Sequence, residues 1–161
     1  MVETIFELGI NLVETLIIID FVARYLGGKY QDKRNIIGFI IAWIVSFIEL
    51  SIINHIFTHE GVASLIPVAI IFLYAIIFLK GSVALKLWIS ALIEVIVVII
   101  ADGTNLVICR LLGYNPNDMI TVFNATRVIS VIITKVILFY VTRIILRHKY
   151  KNPLELSLIH I

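Results

Sequence analysis

Residues 36–57 read IIGFIIAWIVSFIELSIINHIF, 22 residues in which Glu49 is the one Asp, Glu, Lys or Arg. A hydrocarbon core of ~30 Å takes ~20 helical residues to cross, and this run is long enough to do it. Four further segments qualify on either side of it, at about 5–26, 62–79, 85–109 and 120–146. The first stops at Gly27-Gly28, and Gly113-Tyr114-Asn115-Pro116-Asn117-Asp118 is the clearest turn in the chain. Asp102-Gly103-Thr104 is expected to fray or bend the fourth segment near its end. The fold class that follows is all-α, a polytopic transmembrane bundle of five spans occupying residues 1–151.

Composition agrees with that reading. The chain has 161 residues, of which 61% are hydrophobic and 15% charged, and its mean hydropathy is +1.08. Soluble domains average ~45–50% apolar and ~25% charged residues, so the excess points to lipid as the solvent. A net charge of +2 is too small to argue for nucleic acid, and a lone Cys109 excludes an intrachain disulfide framework. The start, Met1-Val2-Glu3-Thr4, is acidic where a cleaved signal peptide is basic.

Orientation follows from lysine and arginine placement. Arg24, Lys29, Lys33 and Arg34 follow the first segment, Lys80 and Lys86 link the third to the fourth, and Arg143, Arg147, Lys149 and Lys151 end the fifth. All ten fall on one side of an alternating topology. The opposite side holds Arg110 together with Glu3, Glu60 and Asp118. The expectation is an outside N-terminus and a cytoplasmic C-terminus in a bacterial plasma membrane.

A charge in the bilayer core costs several kcal/mol, so each one inside a segment asks for a reason. Glu3, Glu7, Asn11 and Glu14 are spaced four, four and three, which at ~100° per residue places them on one helical face. Ser46 and Glu49 lie in the second segment, Ser90, Glu94 and Asn105 in the fourth, and Asn124, Arg127, Ser130, Thr134 and Lys135 in the fifth. Turned inward, these faces make a polar core whose candidate ligand-facing residues are Glu7, Asn11, Glu14, Glu49, Glu94, Asn105, Asn124 and Arg127. The same groups would also serve as interhelical hydrogen bonds that hold a bundle together. Glu14 and Glu94, near the midplane, suit proton carriage as well. Counting ~1.5 Å per residue sets Arg127 at the depth of Glu49, so Arg127 is expected to pair with Glu49 or, failing that, Glu94. Lys135 is expected to snorkel to the cytoplasmic interface.

His55 and His59, with Glu60 following, lack the further ligands a metal site needs, so neither a metal nor a catalytic residue is assigned. Cys109 would suit a membrane cysteine peptidase only with a histidine beside it, and it lies toward the outer side, away from any cytoplasmic precursor.

The segments FELGINLVETLIIIDF at 6–21, RYLGGKYQDKRN at 24–35 and TRIILRHKYKNPLE at 142–155, in this order around a short polyhelical block, resemble a known sensor layout. It is the N-terminal membrane region of the accessory-gene-regulator (AgrC-like) sensor histidine kinases, whose kinase part belongs to the GHKL ATPase superfamily. The resemblance implies quorum sensing: an extracellular peptide pheromone as ligand, a homodimer, and a cytoplasmic response regulator as partner. It also implies ATP and Mg²⁺ in a kinase domain that would follow this chain, with no cofactor in the membrane part. His148 lacks the context of a phosphoacceptor helix, so that role is not carried over. Residues 152–161 are expected to be a truncated tail, and the last six, LSLIHI, read like the translated start of a sequencing adapter. The alternative reading is a small transport component that binds a substrate in the polar core, such as the membrane subunit of a vitamin importer.

Overall fold

The computed structural model describes residues 2–30, 33–56, 65–113 and 124–151. They form five helices: α1 Val2–Leu26, α2 Lys33–Ile56, α3 Leu65–Phe78, α4 Val83–Leu112 and α5 Ala125–Lys151. Each expected segment corresponds to one of them. The side chain of His55, the residues His59 and Glu60, the turn at 114–118 and the tail 152–161 lie outside the described residues.

Helix ends follow local chemistry. Gly27, at φ +74°, ends α1 and donates its N–H to the Ala23 carbonyl at 2.9 Å; glycine enters this left-handed region without a Cβ penalty. The Ser82 hydroxyl accepts from the Leu85 amide at 3.3 Å to start α4, and Gly113, at φ +68°, closes it. Asn124 starts α5, its Oδ1 accepting from the Arg127 amide at 2.8 Å.

The fraying expected at Asp102-Gly103-Thr104 does not occur: α4 stays helical through it, over 30 residues in all. A helical glycine or threonine costs less than about 1 kcal/mol each. Opening the backbone in lipid would leave groups unsatisfied at several kcal/mol apiece, so the helix continues.

Three helices, α2, α4 and α5, are long and apolar enough to cross a membrane, and α3 is a shorter apolar helix of 14 residues. Of the five spans read from the sequence, α1 is the exception by composition, because Glu7, Glu14 and Asp20 interrupt it. Packing explains why it tolerates them. Neighbouring helices touch in chain order, α5 closes back onto α1, and α1 also reaches across to α3 and α4. The helix richest in acidic residues is thus the one that touches all the others.

The polypeptide runs up and down in this ring. The Lys29 amide donates to the Phe78 carbonyl at 2.8 Å and the Lys80 amide to the Gly27 carbonyl at 2.9 Å, joining the links after α1 and α3. At the same end the Tyr150 hydroxyl donates to the Arg24 carbonyl at 3.0 Å. Basic residues therefore gather at one end of the bundle, and Glu3 and Glu7 stand at the other, where α1 and α5 both begin.

The apolar core fills the basic half. Ile18, Phe21, Val22 and Leu26 of α1 pack with Ile71 and Ala75 of α3, Ile89 and Ile93 of α4, and Leu146 of α5. The exterior is apolar too: Ile36, Ile40, Ile44 and Ile48 form an exposed stripe at a spacing of four along α2. A surface of that kind is unsuited to water and suited to acyl chains.

Candidate functional site

Two polar arrangements stand out in the bundle, one along its side and one inside it. The first is a seam between α1 and α5, which run parallel. Arg127 bridges Glu3 at 3.1 Å and Glu7 at 2.5 Å. One helical stretch further in, Lys135 Nζ meets Glu14 Oε2 at 2.7 Å. Beyond that, Arg143 meets Asp20 at 2.9 Å, and Arg24 holds the other oxygen of the same carboxylate at 2.7 Å. The cations recur every eight residues along α5, and the acids recur at seven and six along α1. Burial differs along the seam. Glu14 and Lys135 side chains are 11% and 12% exposed, whereas Glu3 is 47% exposed. Glu14 also lies midway along α1, so this pair sits deep within the bundle.

Two expectations are corrected here. Arg127 pairs with Glu3 and Glu7, not with Glu49 or Glu94. Arg127 stands level with Glu3 and Glu7 near the start of α1, whereas Glu49 lines a cavity with Glu14, about two turns further in; α5 also packs between α1 and α4 and not along α2, so Glu49 is on the wrong neighbour as well. Lys135 does not snorkel to an interface; it turns inward, because Glu14 stands opposite it one helix away.

The second arrangement is a cavity of about 70 Å³ enclosed by α1, α2, α3 and α4. Three carboxyl groups, from Glu14, Glu49 and Glu94, line it with Thr15, Ser46 and Pro67. The hydroxyl of Thr15 donates to the Asn11 carbonyl at 2.9 Å. By contrast, Ser46 Oγ and one carboxylate oxygen of Glu49 are buried without a hydrogen-bond partner. Ser51 Oγ, off the cavity, is a third such atom; buried polar atoms are satisfied in the great majority of cases, which makes the two that share the cavity informative.

Of the eight candidate ligand-facing residues, Glu14, Glu49 and Glu94 converge on this cavity. Glu7 and Arg127 meet in the seam, with Asn124 capping the helix start below them. Asn105 accepts from the Ser130 hydroxyl at 2.7 Å between α4 and α5, and Asn11 is buried within α1. Reading the sequence missed Lys135, Asp20 and Arg143 as seam partners. The eight-residue recurrence of cations in α5 was the available signal. The chain matches no family model, no curated protein and no solved structure.

Proposed function

We propose that this chain is the membrane sensor portion of a bacterial two-component histidine kinase. In this reading the acidic end faces outward, a signal reaches the polar interior of the bundle, and α5 conveys it to a kinase domain on the cytoplasmic side. The observation that carries the reading is the seam. The helix leading to the basic exit is tied to α1 by ion pairs at its start, its middle and its far third. A displacement of α1 around the cavity therefore has a mechanical route along α5. The layout resemblance to AgrC-like receptors adds the ligand class, an extracellular peptide, and the partners, a second copy and a response regulator.

The test is to read the parent gene past Glu155 and assay its product in proteoliposomes. A GHKL reading frame should follow, with autophosphorylation from ATP and Mg²⁺ that changes in Lys135→Leu. A parent gene without a kinase frame, or a kinase indifferent to that substitution, removes the reading. One observation favours the transport alternative: the cavity with its unpartnered acceptors lies inside the bundle, where substrate sites of small membrane carriers belong.

A further inference from the structure

The seam neutralises its charges and the cavity does not. Glu14, Glu49 and Glu94 face one space, and the cation nearest at hand, Lys135, is already engaged with Glu14 at 2.7 Å. Charge alone would be a weak argument. The independent observation is Ser46, which is 6% exposed, lines the same cavity, and has a hydroxyl oxygen with no partner. One oxygen of Glu49, a turn further along α2, is left in the same condition. An ionised carboxylate only accepts hydrogen bonds, and a hydroxyl can accept as well as donate. The cavity thus offers more unfilled acceptors than donors, the Ser46 O–H being the one donor left over among these atoms.

The geometry points to a binding site for a small alkylammonium-type cation between α1, α2, α3 and α4, held by Glu49, Glu94 and Ser46. An ammonium head carries three N–H donors and one positive charge, complementary to what the cavity leaves over. The acceptors come from separate helices. Among the described residues no three histidine, cysteine or acidic side chains converge closely enough to hold a metal ion, so a dispersed donor fits better than a compact metal shell. Size agrees: at ~10–15 Å³ of such volume per water, about 70 Å³ takes roughly an ethylammonium ion with one or two waters. Leu50 and Pro67 complete the apolar part of the lining with Ile18, Ile71 and Val97. This deepens the sensor reading by naming the chemistry it would detect, a primary amine or the tip of a lysine side chain.

The experiment is thermal unfolding of the full chain in detergent, read by Trp43 and Trp88 fluorescence. Ethylammonium, sodium and tetramethylammonium chlorides are compared at equal ionic strength. Ethylammonium should raise Tm saturably; the other two should not. Glu49→Gln and Ser46→Ala should each weaken the half-saturating concentration at least tenfold while unfolding no lower than the parent without the cation. Asp20→Asn, outside the cavity, should keep the response. Equal shifts with all three salts, a saturable shift with sodium alone, or an undiminished response in both cavity variants would overturn the site. The two readings fail separately. A full ethylammonium response beside an autokinase that ignores Lys135→Leu removes the sensor and leaves the site, and the converse removes the site alone.

Discussion

The α1–α5 seam and the cavity a few residues away contain the same kinds of side chain and solve opposite problems. In the seam every acid of α1 meets a cation of α5, and the Glu14–Lys135 pair is dry because its partners neutralise each other at contact distance. In the cavity, the Ser46 hydroxyl oxygen and one carboxylate oxygen of Glu49, both on α2, are buried and keep open valences. Glu14 belongs to both, lining the cavity with its carboxyl while holding Lys135. The difference teaches that burial of charge is not one phenomenon here. One set of groups holds two helices in register, and the other holds a space open.

The largest expected effect comes from the dry pair. Removing one partner of a buried ion pair costs about 3–5 kcal/mol, whereas replacing both with apolar residues is neutral or better. Lys135→Leu should therefore lower unfolding stability in detergent by about that amount, and Glu14→Leu added to it should recover most of the loss. A Lys135→Leu chain as stable as the parent would show that the seam is wet, and the contrast with the cavity would collapse.

Arg127→Leu should cost less, about 1 kcal/mol, because its two carboxylate partners are partly exposed and exposed pairs contribute ~0.2–1 kcal/mol each. Denaturant titration distinguishes this from the larger loss at Lys135. A loss equal to that of Lys135→Leu would mean the seam is uniformly buried. Asp20→Asn is the mildest test. Its partners Arg24 and Arg143 are 58% and 38% exposed, so its cost should stay below ~1 kcal/mol. That cost should vanish in ~1 M salt, where the Debye length is ~3 Å.

Much of this architecture was legible in the chain. Five apolar runs gave five helices, since a long hydrophobic run leaves the backbone few alternatives in lipid. The four-four-three spacing from Glu3 to Glu14 placed the α1 acids on one face, and Asn11 and Glu14 are indeed buried. The partners were not legible. Depth counting ranks residues along the membrane normal but says nothing of which helix stands beside which. Arg127 was therefore given Glu49 on α2, when α1 and α4 flank it. Lys135 was given an interface because a long flexible cation can snorkel to one; its neighbour across the seam decided otherwise. Asp20 drew no attention because it lies close to the basic link and looked like part of it. The fraying at Gly103 was overstated for a related reason: a glycine is a stop signal in water and only a soft spot in a lipid-embedded helix.

The backbone bridge between Gly28 and Leu79 works like the rivet of a pair of tweezers. It fastens the α1–α2 and α3–α4 hairpins at the basic end, beside the densest apolar packing. Prising the arms apart by a small angle leaves the rivet still, and the displacement grows in proportion to the distance from it. The cavity lies partway out along the arms and the Arg127 contacts lie near their tips. An occupant lodged between the arms would thus be felt as a larger excursion at the tips, with α5, riveted by Tyr150 and strung along α1, bent rather than carried away.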